Sequence, residues 1–344
     1  MLPFWFHKSA TLIRVLALVS VSLISCVWTS CVACAQEQSP ALMNPVIPNA
    51  ADPFITRSGN QYLLLATHEN TITIWSGTSL ASLPQNPKIV WKPSDAMKQV
   101  WSPTLWRMQG SWWIYFTAEY PGGKHGIYVL QSKTDDPLGG YTLRGLLPLE
   151  KTAIDPSILH IRDVTYLMYV DVDPKGWNAV WITSLKDPMS PVGDGRQLIF
   201  PDMPWERGAE TTHNYPVAEG PTALYRAGKT FIVYSGSDTG THVYCLGLVT
   251  YRGIGDPMLT ENWEKSGPVF SYSAEHGVYG PGRGAFTTSP DGKQDWLVYH
   301  AKSVKEYTYA GRSVRMQPFT WTADSKPNFG VPVAEGPFTP KPTK

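Results

Sequence analysis

Asp155-Pro156-Ser157-Ile158, followed ten residues after the proline by Tyr166-Leu-Met-Tyr-Val-Asp171, decides how this chain folds. The first piece is an extended segment opened by proline. The second follows a turn and is aromatic and β-branched, so the two read as consecutive short strands. The same pair recurs five times. The openings are Asp52-Pro53-Phe54-Ile55, Ser102-Pro103-Thr104-Leu105, Asp155-Pro156-Ser157-Ile158, Gly220-Pro221-Thr222-Ala223-Leu224, and Gly280-Pro281 with Phe286. The followers are residues 59–67, 110–118, 163–171, 228–236 and 292–300. The offset from proline to the next aromatic is 9 (53 to 62), then 10 (103 to 113, 156 to 166 and 221 to 231), and 15 in the fifth copy (281 to 296).

The anchors Tyr62, Trp113, Tyr166, Phe231 and Trp296 lie 51, 53, 65 and 65 residues apart. Further strand-like pieces sit between them, at 71–75, 126–132, 179–183 and 244–251. About four strands in a repeat of this length match a propeller blade, and no long amphipathic helix interrupts them. The expectation is an all-β fold: a single five-bladed β-propeller over residues 36–344. A sandwich would not explain the repeated offset. A ring must also join its ends, and 42–47 with 329–333 are the candidate terminal strands.

Composition agrees. Of 344 residues, 42% are hydrophobic and 12% aromatic, which excludes disorder, and the 59 Gly and Pro residues favour short strands with frequent turns. The formal net charge of +1 excludes a general nucleic-acid binder. His7, Lys8 and Arg14 precede an apolar run over 15–28, and Ala33-Cys34-Ala35 precedes Gln36. Residues 1–35 therefore read as a secretory signal peptide rather than a membrane anchor, because serines interrupt a run that is short for a span. Leu23-Ile24-Ser25-Cys26 resembles a lipobox, which offers lipid anchoring at Cys26 as a variant. Beyond the leader only Cys245 remains, in an apolar stretch, so the core and not disulfides must hold the fold.

Equivalent positions on the innermost strands surround one end of a propeller's channel. The residue ahead of Pro, or ahead of Gly-Pro, is Asp52, Ser102, Asp155 and Glu219 in the first four copies. Three carboxyl groups in one place are costly unless one is protonated or a cation lies among them. Such groupings mark chemistry. Asp-Pro also occurs at 136, 173, 187 and 256, where no inner strand follows, and these read as turns. Ala-Glu-Gly-Pro recurs at Glu335, ahead of a polar tail, and reads as structural.

The chain resembles glycoside hydrolase family 43, the five-bladed enzymes of arabinan and xylan breakdown. The matching pieces are Asp52-Pro-Phe-Ile, Trp101-Ser-Pro-Thr-Leu, Ala153-Ile-Asp-Pro-Ser-Ile158, Ala218-Glu-Gly-Pro221, Val278-Tyr-Gly-Pro-Gly282, Val298-Tyr-His-Ala301 and Arg312-Ser-Val-Arg-Met-Gln317. The resemblance implies Asp52 as general base, Glu219 as general acid and Asp155 as the third carboxylate, which tunes the acid. Within the family the chain looks most like secreted, inverting, exo-acting α-L-arabinofuranosidases on arabinan or arabinoxylan. A β-xylosidase or endo-arabinanase on the same scaffold is the alternative, and a non-catalytic glycan-binding propeller lies outside the enzyme class. Two segments depart from the family's pattern. Trp101-Ser-Pro-Thr104 stands where many relatives have Trp-Ala-Pro-Glu, and Gly282-Arg283-Gly284 where many have Gly-His-Asn.

Trp101 is the candidate for stacking on the sugar ring. His300, at the end of a repeated strand, is expected near the axis, where it could hold a water or a structural cation, as the family's axial His can. Arg315 is expected to pair with the acids or a sugar hydroxyl. No cofactor is required, and no Cys/His cluster has metal-ligand spacing. The expected partner is a plant cell-wall oligo- or polysaccharide, with no nucleic acid and no stable membrane insertion; the expected location is extracellular or periplasmic.

Overall fold

Among the described residues, twenty strands form five four-stranded antiparallel sheets, each built from strands consecutive in the chain. The computed structural model describes residues 41–120, 122–149, 152–208 and 211–340. The described residues all lie within one compact unit, Ser39–Lys344. The leader expected at 1–35 and Cys26 lie outside the described residues. Among those residues no helix is long and apolar enough to cross a membrane.

Blade one comprises Ala51–Ser58, Gln61–Thr67, Ile72–Gly77 and Pro87–Trp91. Blade two comprises Lys98–Met108, Ser111–Tyr120, Lys124–Ser132 and Tyr141–Leu146. Blade three comprises Ile154–Ile161, Val164–Val172, Asn178–Asp187 and Ser190–Ile199. Blade four comprises Ala218–Arg226, Lys229–Gly236, Cys245–Tyr251 and Trp263–Phe270. Blade five comprises Tyr279–Thr288, Asp295–Lys302, Ser313–Trp321 and Pro327–Asn328. The first strands touch one another in chain order, and that of blade five touches that of blade one, so the sheets close into a ring: a five-bladed β-propeller.

The second strand of each blade is apolar along its length because both of its faces are buried. Alternate residues point to opposite neighbours. Leu63 and Leu65 pack with Leu105 and Ile114 of blade two. Tyr62 and Leu64 turn the other way, to Trp296 and Val298 of blade five. Tyr115 packs with Leu167, Met168 with Ile232, and Phe231 with Leu297, so each of five apolar clusters joins two adjacent blades. Cys245 is buried in blade four.

This two-residue period explains the irregular first offset. Trp113, Tyr166, Phe231 and Trp296 lie four residues before Thr117, Val170, Ser235 and His300, which face the position just before each inner-strand bulge. In blade one the residue four before Thr67 is Leu63, not Tyr62. Counted to Leu63, the offset from Pro53 is also ten. The fifth offset is longer because this inner hairpin slips register twice, between Tyr279 and Gly282 and again between Gly282 and Ala285.

The closure expected from the ends is half right. Leu42–Asn44 pairs with Gly336–Phe338, Asn44 facing Gly336. Residues 329–333 form no strand, and Pro327–Asn328 completes blade five instead. Asn44 fastens the clasp to blade five, exchanging hydrogen bonds with the backbone of Met316 at 3.0 and 2.9 Å.

Candidate active site

The inner hairpin of every blade slips register so that two residues oppose one, once in blades one, three and four and twice in blades two and five. In the slip common to all five blades the leading residues are Asp52, Ser102, Asp155, Gly220 and Arg283, all with φ between 51° and 58°. Four of the five are not glycine, an arrangement held only when the surroundings enforce it. The enforcement is visible. The Asp52 N–H donates to His300 Nδ1 (3.0 Å), Ser102 N–H to Thr67 Oγ1 (2.8 Å), Asp155 N–H to Thr117 Oγ1 (3.0 Å) and Arg283 N–H to Ser235 Oγ (2.8 Å). The fifth acceptor position is Val170, which has nothing to accept with, and the Asp155 carboxylate takes the Gly220 N–H instead (3.1 Å). The bulges thus turn five inner-strand positions toward one end of the channel.

Asp52, Asp155 and Glu219 come together there, lining a cavity of about 410 Å³ with Trp101, Ser102, Ile154, Thr239, Tyr309 and Arg312. The Thr67 hydroxyl donates to Asp52 Oδ2 at 2.7 Å; Arg312 lies 3.5 Å and His300 Nδ1 3.4 Å from Oδ1. Burial pushes the Asp52 carboxyl up, but Arg312, His300 and Arg283 beside it outweigh burial and hold the group well below the usual carboxylate range. Asp155 accepts from the Ser102 hydroxyl (2.5 Å) and lies 3.1 Å from the Arg283 guanidinium. Glu219 accepts from the Tyr244 hydroxyl at 2.8 Å. Burial, reinforced by the charges of Asp155 and Asp52, pushes the Glu219 carboxyl up to about 8 against the pull of Tyr244 and Arg283. One cavity therefore holds one carboxylate ionised at any ordinary pH and one carboxylic acid that keeps its proton at neutrality, the pairing acid–base chemistry requires.

Gly220 is required at its bulge for two reasons. Its φ is 58°, and a Cβ there would lie 2.7 Å from Arg283 Cδ and 2.9 Å from its guanidinium. Arg283 can cross to Asp155 only because position 220 carries no side chain.

Trp101 lines the cavity, with its indole stacked on His125 (centroids 4.6 Å apart, planes at 22°). His300 is fully buried and stacks on Tyr244, 5.6 Å between centroids. Its Nδ1 accepts the Asp52 N–H, which puts the ring proton of the neutral form on Nε2, facing Thr239 Oγ1 at 3.4 Å. That tautomer leaves no lone pair for a metal ion, so the ring fits a hydrogen-bonding role and not that of a cation ligand. Among the described residues no group of three or more His, Cys, Asp or Glu could hold a metal.

Arg315 is a correction. It is fully buried, but it pairs with Glu335 and Ser303, both through Nη2 (2.5 and 2.9 Å), rather than with the acids. The cations that meet the acids are Arg312, three residues earlier, and Arg283. Both stood in segments singled out from sequence, Arg283 as a departure from the family's pattern. Tyr244 carried no signal, being one aromatic in an apolar run. The other Asp-Pro pairs are turns as expected: Asp136, Asp173, Asp187 and Asp256 each accept the N–H two residues on, at 2.8–2.9 Å.

The sequence profile of Glycosyl hydrolases family 43 matches residues 42–327. An extracellular exo-alpha-(1->5)-L-arabinofuranosidase of Streptomyces avermitilis is 32% identical over 318 residues, covering 87% of this chain and 65% of that protein. Alpha-L-arabinofuranosidase 43 of Humicola insolens is 31% identical, covering 89% of this chain and 67% of its own. The chain thus spans about two thirds of the length of these curated relatives. The crystal structure of an alpha-L-arabinofuranosidase from Lactobacillus brevis matches with a TM-score of 0.79 at 28% identity, over 86% of this chain and 98% of that one.

Proposed function

The chain belongs to glycosyl hydrolases family 43, and we propose that it is an inverting, exo-acting α-L-arabinofuranosidase that removes terminal arabinose from arabinan or arabinoxylan. The observation that carries this reading is the opposite displacement of two carboxyl groups in one cavity: Glu219 raised to about 8 and Asp52 held low. Glu219 donates its proton to the departing glycosidic oxygen. Asp52, ionised, takes a proton from the water that attacks the other face of the sugar. The negative charge of Asp155 keeps the proton on Glu219 until the bond breaks. Inversion requires the two carboxyl groups to stand roughly 6.5–9.5 Å apart, leaving room for that water.

A cavity of about 410 Å³ suits one terminal sugar better than an open groove, which supports exo action. The aromatic surfaces of Trp101 and Tyr309 offer packing for a sugar ring. Names of these two relatives support arabinose over xylose, and that of the Streptomyces avermitilis protein supports an extracellular location. The test is hydrolysis of 4-nitrophenyl α-L-arabinofuranoside beside the β-D-xyloside, with the anomer released from arabinobiose followed by NMR. Faster release from the arabinofuranoside with an inverted product is expected. Preference for the xyloside, a retained anomer, or no hydrolysis by folded protein would each overturn the corresponding part of the proposal.

A further inference from the structure

The segment between blades three and four, which leads into the strand carrying Glu219, contains a short 3-10 turn at Pro204–Arg207. The Trp205 indole lies in a slot whose floor is glycine on three adjacent strands of blade four. A Cβ on Gly236 would lie 2.4 Å from the indole, one on Gly247 2.4 Å, and one on Gly267 3.1 Å. Beside it the fully buried Glu206 carboxylate accepts from the Tyr234 hydroxyl (2.6 Å), the Met203 N–H (2.6 Å) and the Lys265 ammonium (3.0 Å). Lys265 also reaches Asp202 at 2.5 Å. Such a pair costs desolvation and holds only while both partners are present.

The backbone carbonyl of Glu206 then accepts two amides, Val217 N–H (3.0 Å) and Ser237 N–H (3.1 Å). The Ser237 hydroxyl donates to the Trp205 carbonyl (2.7 Å). Val217 lies two residues before Glu219, and Ser237 two residues after Ser235, the residue opposite Glu219 in the ladder. One carbonyl therefore pins both strands beside the acid, and the indole slot and buried ion pair fix that carbonyl.

We infer that the Trp205–Glu206 anchor is a positioning device for Glu219: it sets where the acid's proton is presented to the leaving oxygen. This rests on the reading of Glu219 as general acid. Trp205 and Glu206 act through Glu219 and do not themselves touch the substrate. A displacement of about 1 Å in a catalytic group can cost a hundredfold in rate. Because the group concerned is the acid, that cost falls on substrates whose leaving group needs a proton.

Two substitutions disturb the anchor from opposite sides. Trp205→Ala empties the slot, and Gly236→Ala puts a methyl where its three nearest neighbours are atoms of Trp205 and Glu206. The full chain is assayed on arabinobiose, a poor leaving group, and on 2,4-dinitrophenyl α-L-arabinofuranoside, which needs no proton. Each variant is expected to lose about 10- to 100-fold in kcat/KM on arabinobiose and less than about threefold on the aryl substrate. The double variant is expected to be no worse than Trp205→Ala, since the indole that the new methyl meets is gone. Circular dichroism checks the fold, and Trp205→Phe takes the place of Trp205→Ala should that variant not fold. Equal losses on both substrates, no loss on arabinobiose, or additive losses in the double variant would overturn the inference. Wild-type protein that cleaves neither substrate instead refutes the hydrolase reading beneath it.

Discussion

Asp155→Asn should move the alkaline limb of the activity profile to lower pH. The substitution keeps the size of the side chain and an oxygen for the Ser102 hydroxyl or the Gly220 N–H, but removes the negative charge beside Glu219. Two effects then act in the same direction. Glu219 loses the largest charge contribution that holds it up, and Arg283, 3.1 Å from Asp155, loses its counter-charge. Burial, the first cause of the shift, remains. A neighbouring charge moves a carboxyl by about 1–3 pH units; with burial, the largest cause, left in place the fall is taken as about 1–2, from about 8 to about 6–7. At pH 5 nearly all of it is still protonated in both proteins. At pH 8 the protonated fraction falls from about half to about 1–9%, an added loss of roughly 5- to 50-fold beyond any loss common to all pH values. The assay is kcat/KM on arabinobiose from pH 4.5 to 9.5, which reports the free enzyme. An alkaline limb that stays near 8, or rises, would refute the coupling between the two acids.

Glu219→Gln should stabilise the fold at alkaline pH while removing activity on poor leaving groups. The folded carboxyl is raised from 4.5 to about 8, so its contribution to stability is intact below 4.5 and is lost as pH rises through 8. The variant's Tm should exceed that of wild type at pH 8–9 and converge with it near pH 4.5 in a calorimetric series. Arg312→Met removes the leading charge that holds Asp52 low, with His300, Arg283 and the Thr67 hydroxyl left facing it. The acid limb of kcat/KM should move to higher pH, so the loss at pH 4 exceeds that at pH 7. Arg315→Met breaks the pair with the half-exposed Glu335, leaving the acids untouched. Denaturant unfolding should show a loss of about 1–3 kcal/mol while kcat/KM changes less than about twofold.

The blades were legible because burial on both faces writes a continuous aromatic and β-branched run into each second strand, and a turn must precede it. Asp52 and Asp155 were legible for a related reason. The bulge that aims them into the channel needs a residue tolerant of positive φ, with Pro next in line. Glu219 sits one position earlier than this rule would place it, because Gly220 holds the bulge and leaves room for Arg283. The Gly-Pro that follows still marked it.

Local sequence thus determined the strand repeat, the ring it implies and three acids at the starts of inner strands, since each depends on backbone conformation and alternation within a few residues. Tertiary structure alone decided which cations meet those acids. Arg312 and Arg315 lie three apart on one segment, yet one reaches Asp52 and the other Glu335. Arg283 reaches Asp155 only across a glycine 63 residues away in the chain, and Tyr244 reaches Glu219 from the residue just before the third strand of the same blade. Separation between Glu219 near 8 and Asp52 far below it is a sum of burial and charges converging from several blades. Such a sum exists only once the ring has closed.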